Sequence, residues 1–203
     1  MKSIHAFIIK PKGGDRYKNE IELEGGKKFV VNTDIFNHEY VSREAEVIAI
    51  PTAYETPIKV GDTIIVHHNI FRRWHDQMGR ERNSSNFISE DKYTCFPDQI
   101  YMHKSDDEWK GLDGYCFVSP VEDKRELAVN KEVPQMGTIE IDNKDLNSIG
   151  VYKGDVIGFL ANREYEFVIE GKRLYRMRNV DVVFKYDDRQ VEVYNPNWAN
   201  HFN

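Results

Sequence analysis

The chain has 203 residues, a formal net charge of −6 at pH 7, 40 % hydrophobic and 31 % charged residues. That length admits one domain or two, and each half of about 100 residues is large enough to bury its own core. The acidic balance argues against nucleic acid as the main partner and leaves room only for a local basic patch. No apolar run approaches the roughly 20 residues of a membrane helix, and Met1-Lys2-Ser3-Ile4-His5 leads straight into a strand rather than a signal core. A cytoplasmic protein with no membrane partner is expected.

In chain order, Phe7-Ile8-Ile9-Lys10-Pro11 reads as an opening strand, followed by a long excursion from Lys12 to Glu44. Next come the strand Ala45-Glu46-Val47-Ile48-Ala49-Ile50 and the phrase Ile58-Lys59-Val60-Gly61-Asp62-Thr63-Ile64-Ile65-Val66. In that phrase an apolar residue and a lysine stand before Gly-Asp and a run of β-formers follows, the signature of a tight turn feeding a buried strand. Asp98-Gln99-Ile100-Tyr101-Met102 closes the series, with alternate residues expected to face a core.

The whole series then returns. Cys116-Phe117-Val118-Ser119-Pro120 opens it, Gly137-Thr138-Ile139-Glu140-Ile141 continues it, and Val151-Tyr152-Lys153-Gly154-Asp155-Val156-Ile157-Gly158-Phe159 repeats the Gly-Asp phrase. Val180-Asp181-Val182-Val183-Phe184 closes it. Ser105-Asp106-Asp107-Glu108-Trp109-Lys110-Gly111 is charged and carries a glycine, as a connector should. The division predicted is 1–106, 107–186 and a C-terminal tail at 187–203. Lys144-Asp145-Leu146-Asn147-Ser148 is the one place for a helical turn, since nothing sustains an apolar i, i+3, i+4 pattern over ten residues. The fold class is all-β, built from small barrels or sandwiches.

Two segments break the symmetry of the repeat. Within the excursion, Glu20-Ile21-Glu22-Leu23 and Lys28-Phe29-Val30-Val31 can pair as a hairpin across Glu24-Gly25-Gly26-Lys27, and Ile35-Phe36 sits among polar residues as a candidate exposed tip. The second segment is the insertion Asn69 to Phe87. Its Phe71, Arg72, Arg73 and Trp74 suit an inter-subunit contact, a site for single-stranded nucleic acid, or a solvated loop of stacked Arg and Trp.

Cys95 and Cys116, one per half in strand contexts, read as buried reduced thiols rather than a disulfide, and their spacing is that of no metal site. His67 and His68 end a strand, where neighbours point to opposite faces, so the pair is not expected to share an ion. No Ser/His/Asp or Cys/His arrangement stands out. The reading is of a protein without an enzymatic centre, a cofactor or a metal. The aromatic residues of the tail, Tyr194, Trp198 and Phe202, are expected to form an arm packing on the chain's own barrel or a neighbour.

The order of strand, excursion, Glu-Val-Ile-Ala-Ile strand, Lys59-Val60-Gly61-Asp62-Thr63-Ile64-Ile65-Val66 and closing strand resembles the GroES-type co-chaperonins. The resemblance covers most of the first copy and, with a shorter excursion, most of the second, as in divergent phage-encoded relatives. It implies two tandem GroES-like β-barrels in one chain that assembles into a homo-oligomeric ring and caps an ATP-bound chaperonin, with the host cytoplasm as its compartment. In that family a glycine-led apolar triplet on a mobile loop docks on the chaperonin. Phe29, Val30 and Val31, after Gly25-Gly26, match it by position, with Lys27 and Lys28 intervening where the family has no lysine. The alternative is an oligomeric structural protein, for instance a virion component, that keeps the duplicated barrel without the chaperonin. Zinc-dependent alcohol dehydrogenases also carry a GroES-like domain, but the dinucleotide fingerprint and cysteine ligands they need are not in this sequence.

Overall fold

The structure, a computed structural model, describes residues 2–17, 20–23, 27–30, 40–112, 114–123 and 132–187, with 20–23 and 27–30 described as backbone. It divides into two units, Met1–Trp109 and Lys110–Asn203, and both are built of strands, as the sequence predicts.

The strands of the first unit are β1 (Phe7–Pro11), β2 (Glu20–Leu23), β3 (Lys27–Val30), β4 (Glu44–Ala49), β5 (Thr63–Val66), β6 (Arg73–His75), β7 (Glu81–Asn83), β8 (Phe87–Ser89), β9 (Lys92–Cys95), β10 (Ile100–Ser105) and β11 (Glu108–Gly111). Their main sheet has the order β11-β10-β5-β4-β1-β9-β8, while β2-β3 and β6-β7 are separate hairpins. In the second unit β12 (Tyr115–Glu122), β13 (Glu132–Ile141), β14 (Val156–Phe159), β15 (Tyr165–Ile169), β16 (Lys172–Arg178) and β17 (Val182–Lys185) form one sheet in the order β15-β16-β12-β13-β14-β17. The turn expected at Lys144 is the helix α1 (Lys144–Ser148), capped by the Asn143 side chain, which accepts from the amide of Leu146. No helix among the described residues is long and apolar enough to cross a membrane.

Six strands follow the same order in both units, and the irregularities recur as well. The β1/β4 register slips between Ile8 and Ile9, and the β12/β13 register slips between Phe117 and Val118. A 3-10 turn, Pro97–Gln99 or Asn179–Asp181, leads into the last of the six.

The Gly-Asp phrases set the same hydrogen bonds twice. The Gly61 amide donates to the Val47 carbonyl at 2.8 Å, and the Val47 amide donates to the Asp62 carbonyl at 3.0 Å. Gly154 does the same to Ile139 at 2.8 Å, and the Ile139 amide reaches Asp155 at 2.9 Å. Both glycines sit at positive φ, +92° and +93°, where a side chain is strained. The aspartates close the turns by accepting from the amides of Lys59 and Tyr152 at 2.9 and 2.7 Å.

Burial follows the sheet positions. Ile9, Val47, Ile58, Ile64 and Tyr93 of the first unit are almost wholly enclosed, and Cys116, Val118, Ile139, Leu146, Ile157 and Met177 cluster in the second. Each such side chain contributes about 1.5–3 kcal/mol by leaving water. Cys95 and Cys116 are free and buried, and burial raises both thiols, Cys116 to about 12. The closing strands depart from the expected alternation. Ile100 through His103 are all buried in β10, whereas Val183 and Phe184 of β17 are exposed. The reason is position: β10 lies between β5 and β11, while β17 pairs only with β14 among the described residues.

Two outcomes follow. Gly61→Ala and Gly154→Ala each meet open space, so the loss should be the backbone penalty alone, about 1–2 kcal/mol by urea unfolding; unchanged midpoints would mean that the turns relax. Asp155 is buried enough to raise its carboxyl, but the Lys185 ammonium and the Tyr152 amide outweigh burial and hold it below the ordinary value. Its contribution is therefore present above the unfolded carboxylate pKa of about 4 and is lost as pH falls through the lower folded value. The stability gap between the parent and Asp155→Asn should shrink on acidification, and a constant gap would refute that coupling.

Candidate functional site

The features that distinguish the first unit meet at one place. The two ends of the excursion are fastened to each other beside the sheet: the Lys12 amide donates to the Glu44 carbonyl, the Ser42 amide to the Arg16 carbonyl, and Tyr17 bridges Val41. Arg16 and Tyr17 then reach the insertion. Arg16 Nε donates to the Phe71 carbonyl at 3.1 Å and Nη1 to Asn83 Oδ1 at 2.8 Å. The Tyr17 hydroxyl accepts from the Arg73 amide at 2.8 Å, and the Arg73 guanidinium lies over the Tyr17 ring.

The insertion enters and leaves through the core. Ile70 and Phe71 are 0 % exposed, and the Phe71 ring meets Tyr93 edge-on at 4.9 Å. Ser84 Oγ donates to the Ile70 carbonyl. Between these anchors β6 and β7 pair from Arg73↔Asn83 to His75↔Glu81. Asp76 folds the tip: its Oδ1 accepts from the amides of Met78 and Arg80, and its Oδ2 accepts from Arg82 Nε at 3.0 Å. The Arg80 amide, with Arg82 and the Met78 amide after it, holds the Asp76 carboxyl below its ordinary value against burial. The hairpin is thereby preorganised and presents Trp74, 46 % exposed, and Met78, 77 % exposed.

The four insertion residues singled out in the sequence separate accordingly. Phe71 is not a contact residue, because the core encloses it. Arg72 and Arg73 are half-buried, and Arg73 is held by Glu81 at 2.8 Å. Trp74 alone of the four is surface. Burial also pulls the Arg16 guanidinium below its ordinary value, and Arg16 sits over the Phe87 and Tyr93 rings. Sequence reading missed this arginine, although Arg16-Tyr17 beside two glycines is a cation and an aromatic at the foot of a loop.

Of the excursion candidates, Phe29 and Val30 lie in β3, where they pair with Ile21 and Glu20. Their backbone is that of a hairpin whose connection is residues 24–26, one residue shorter than read from the sequence. Val31, Ile35 and Phe36 lie outside the described residues, as does the tail 188–203. The expectation for His67 and His68 needs correction. β5 ends at Val66, and a 3-10 turn from His68 stacks the two rings with centroids 4.4 Å apart, so they do not face opposite ways. His67 Nδ1 accepts from the Asn69 amide. Among the described residues no group of three or more His, Cys, Asp or Glu is placed to hold a metal ion.

Comparison with protein-family models and with curated proteins finds no match to this chain.

The core and surface roles separate in one measurement. Phe71→Ala should lose about 3–5 kcal/mol of stability and Trp74→Ala no more than about 0.5 kcal/mol in urea unfolding. Similar losses for both would place Trp74 in the core.

Proposed function

We propose that the protein is a divergent co-chaperonin of the GroES type, made of two GroES-like barrels in one chain, which forms a homo-oligomeric ring and caps a chaperonin chamber. The observation that carries this reading is the repetition, in both units, of the same six-strand order and the same Gly-Asp turn between the second and third strands of the motif. That repetition supports a duplicated barrel, and the sequence of pieces within each copy is the one that resembles the family. The first unit carries the excursion, fastened at its base by Lys12, Ser42 and the Tyr17–Val41 bridge, as a docking arm requires.

Docking is assigned to residues 12–44, with Phe29, Val30 and Val31 as the contact triplet and Ile35 and Phe36 as a second tip. An apolar arm of this kind loses ordering entropy on binding, and a ring of arms recovers affinity through effective concentration. The second reading is a structural oligomer without a chaperonin partner. The observation favouring it is the pairing of Phe29 and Val30 in β3, which gives these residues a role in a hairpin.

Two measurements decide. A co-chaperonin is expected to be retained on an immobilised chaperonin in ATP and released without it, and to assemble as a multiple of seven chains by native mass spectrometry. Changing Phe29, Val30 and Val31 together to Ser should abolish retention. Binding that survives the triple change removes the docking site while keeping the partner, and a defined oligomer that never binds supports the structural reading.

A further inference from the structure

Strand β17 is an open edge of the second sheet. Among the described residues it pairs only with β14, and its Val183 and Phe184 are 55 % and 50 % exposed. A row of outward backbone groups beside apolar side chains is a template for one more strand. The counterpart edge in the first unit is already covered, because β10 turns straight back as β11.

The two edges hold one register. Ile100, Met102 and His103 pair with Val66, Ile65 and Ile64, and Val182, Phe184 and Lys185 pair with Phe159, Gly158 and Ile157, each series skipping one residue after its first pair. Counted from Gly61 and Gly154, Ile64 and Ile157 are equivalent, so Lys185 takes the place of His103. Both side chains face the aspartate of their turn, His103 at 3.7 Å from Asp62 and Lys185 at 2.7 Å from Asp155.

Past Ser105 the first unit reverses at Asp106-Asp107, both at positive φ, +53° and +63°, the two-residue loop whose twist suits a hairpin. The same count from Lys185 puts Asp188-Arg189 at the loop, and it puts Gln190-Val191-Glu192-Val193, beyond the described residues, in the place of Glu108–Gly111. Arg189 then takes a positive φ, a conformation that this chain adopts at Gln135 and Glu170 too.

The residues brought together suit one another. In the first unit Lys104 faces Trp109 across the hairpin, its Nζ 5.8 Å from the ring centre. The corresponding pairs are Tyr186 with Val191 and Phe184 with Val193 on one face, and Lys185 with Glu192 on the other. Phe184 already lies across Gly158 and meets the Tyr186 ring edge-on at 5.1 Å, so the two valines extend an apolar strip while Glu192 sets a carboxylate beside Lys185. The backbone agrees. The Tyr186 amide donates to the Val156 carbonyl at 2.8 Å, and alternation along the strand therefore turns the amide and carbonyl of Lys185 away from β14. Pro196, with no amide hydrogen, suits the end of such a strand.

We propose that residues 190–193 add to β17 as an antiparallel strand, so that the chain's own C-terminal segment closes the edge of the second sheet as β11 closes that of the first. The closure uses the second unit alone and is independent of chaperonin capping.

The test is disulfide trapping in the full chain, whose own Cys95 and Cys116 are buried and free. Tyr186→Cys with Val191→Cys makes a facing pair at a position without mutual backbone hydrogen bonds, where side chains come closest. It should oxidise within one chain roughly tenfold faster than Tyr186→Cys with Glu192→Cys, whose side chains leave opposite faces and miss disulfide geometry. Both variants carry the same change in β17, so any cost to folding is common to them. Non-reducing electrophoresis and peptide masses read the rates. Equal rates, or no disulfide in either variant, overturn the proposal. So does a disulfide between chains, because the occupant of the edge would then be a second copy.

Discussion

The constraint on which both units depend is the left-handed glycine of the Gly-Asp turn. At φ near +92° the chain reverses tightly enough for the glycine amide to reach back to the strand before it, Val47 in one unit and Ile139 in the other. That single bond fixes the register of β4 against β5 and of β13 against β14, and a slip of one residue would turn every side chain to the other face. Ile64 and Ile157 are buried because of it, and the slips in β1 and β12 place Ile9 and Val118 opposite the same two anchor residues. The aspartate adds the second lock, since its carboxylate satisfies an amide that the turn would otherwise leave without a partner.

What the scaffold leaves open is the space over the central tyrosine, and the two units fill it by opposite means. The first spends an insertion and the foot of the excursion on it: Phe71, Phe87 and Arg16 enclose Tyr93, and the same contacts bolt the β6–β7 hairpin to the sheet. A projecting hairpin with so few core contacts of its own would fray without that footing. The second unit has a short connection in place of the insertion and surrounds Tyr175 with Glu132, Glu166 and Arg173. Ion pairs at a half-exposed site add little stability, so the polar ring does not collapse the space as aromatic packing does. A cavity beside Tyr175 is the physical counterpart of that choice.

The Gly-Asp turns and the strands beside them were legible in the sequence because their causes are local: β-formers after Gly-Asp and the proline that ends β1, whereas β12 runs two residues past the Pro120 at which the sequence ends it. The pairing order was not, since it depends on which apolar faces meet. Phe71 illustrates the difference, as an aromatic beside two arginines has an interface composition, and only the tertiary position of Tyr93 draws it inside. His67 and His68 fail in the other direction. The rule that neighbours oppose each other holds within a strand, and the strand ends one residue before them. The cavity had no sequence signal at all, because it is defined by residues that one unit has and the other lacks.

The partners of the two aspartates follow from the edges of their sheets. Asp62 lies beside β10, which is covered by β11, and there its carboxylate accepts from Ser105 Oγ at 2.6 Å with His103 Nδ1 at 3.7 Å. A flexible ammonium placed there would lose hydration on every side, whereas a hydroxyl satisfies the oxygen with no charge to bury. Asp155 lies beside β17, and Lys185 reaches it at 2.7 Å with its side chain still 38 % exposed. The lysine stem runs along the sheet while its head stays wet. One turn geometry is thus served by two donor chemistries, a hydroxyl beside β10 and an ammonium beside β17.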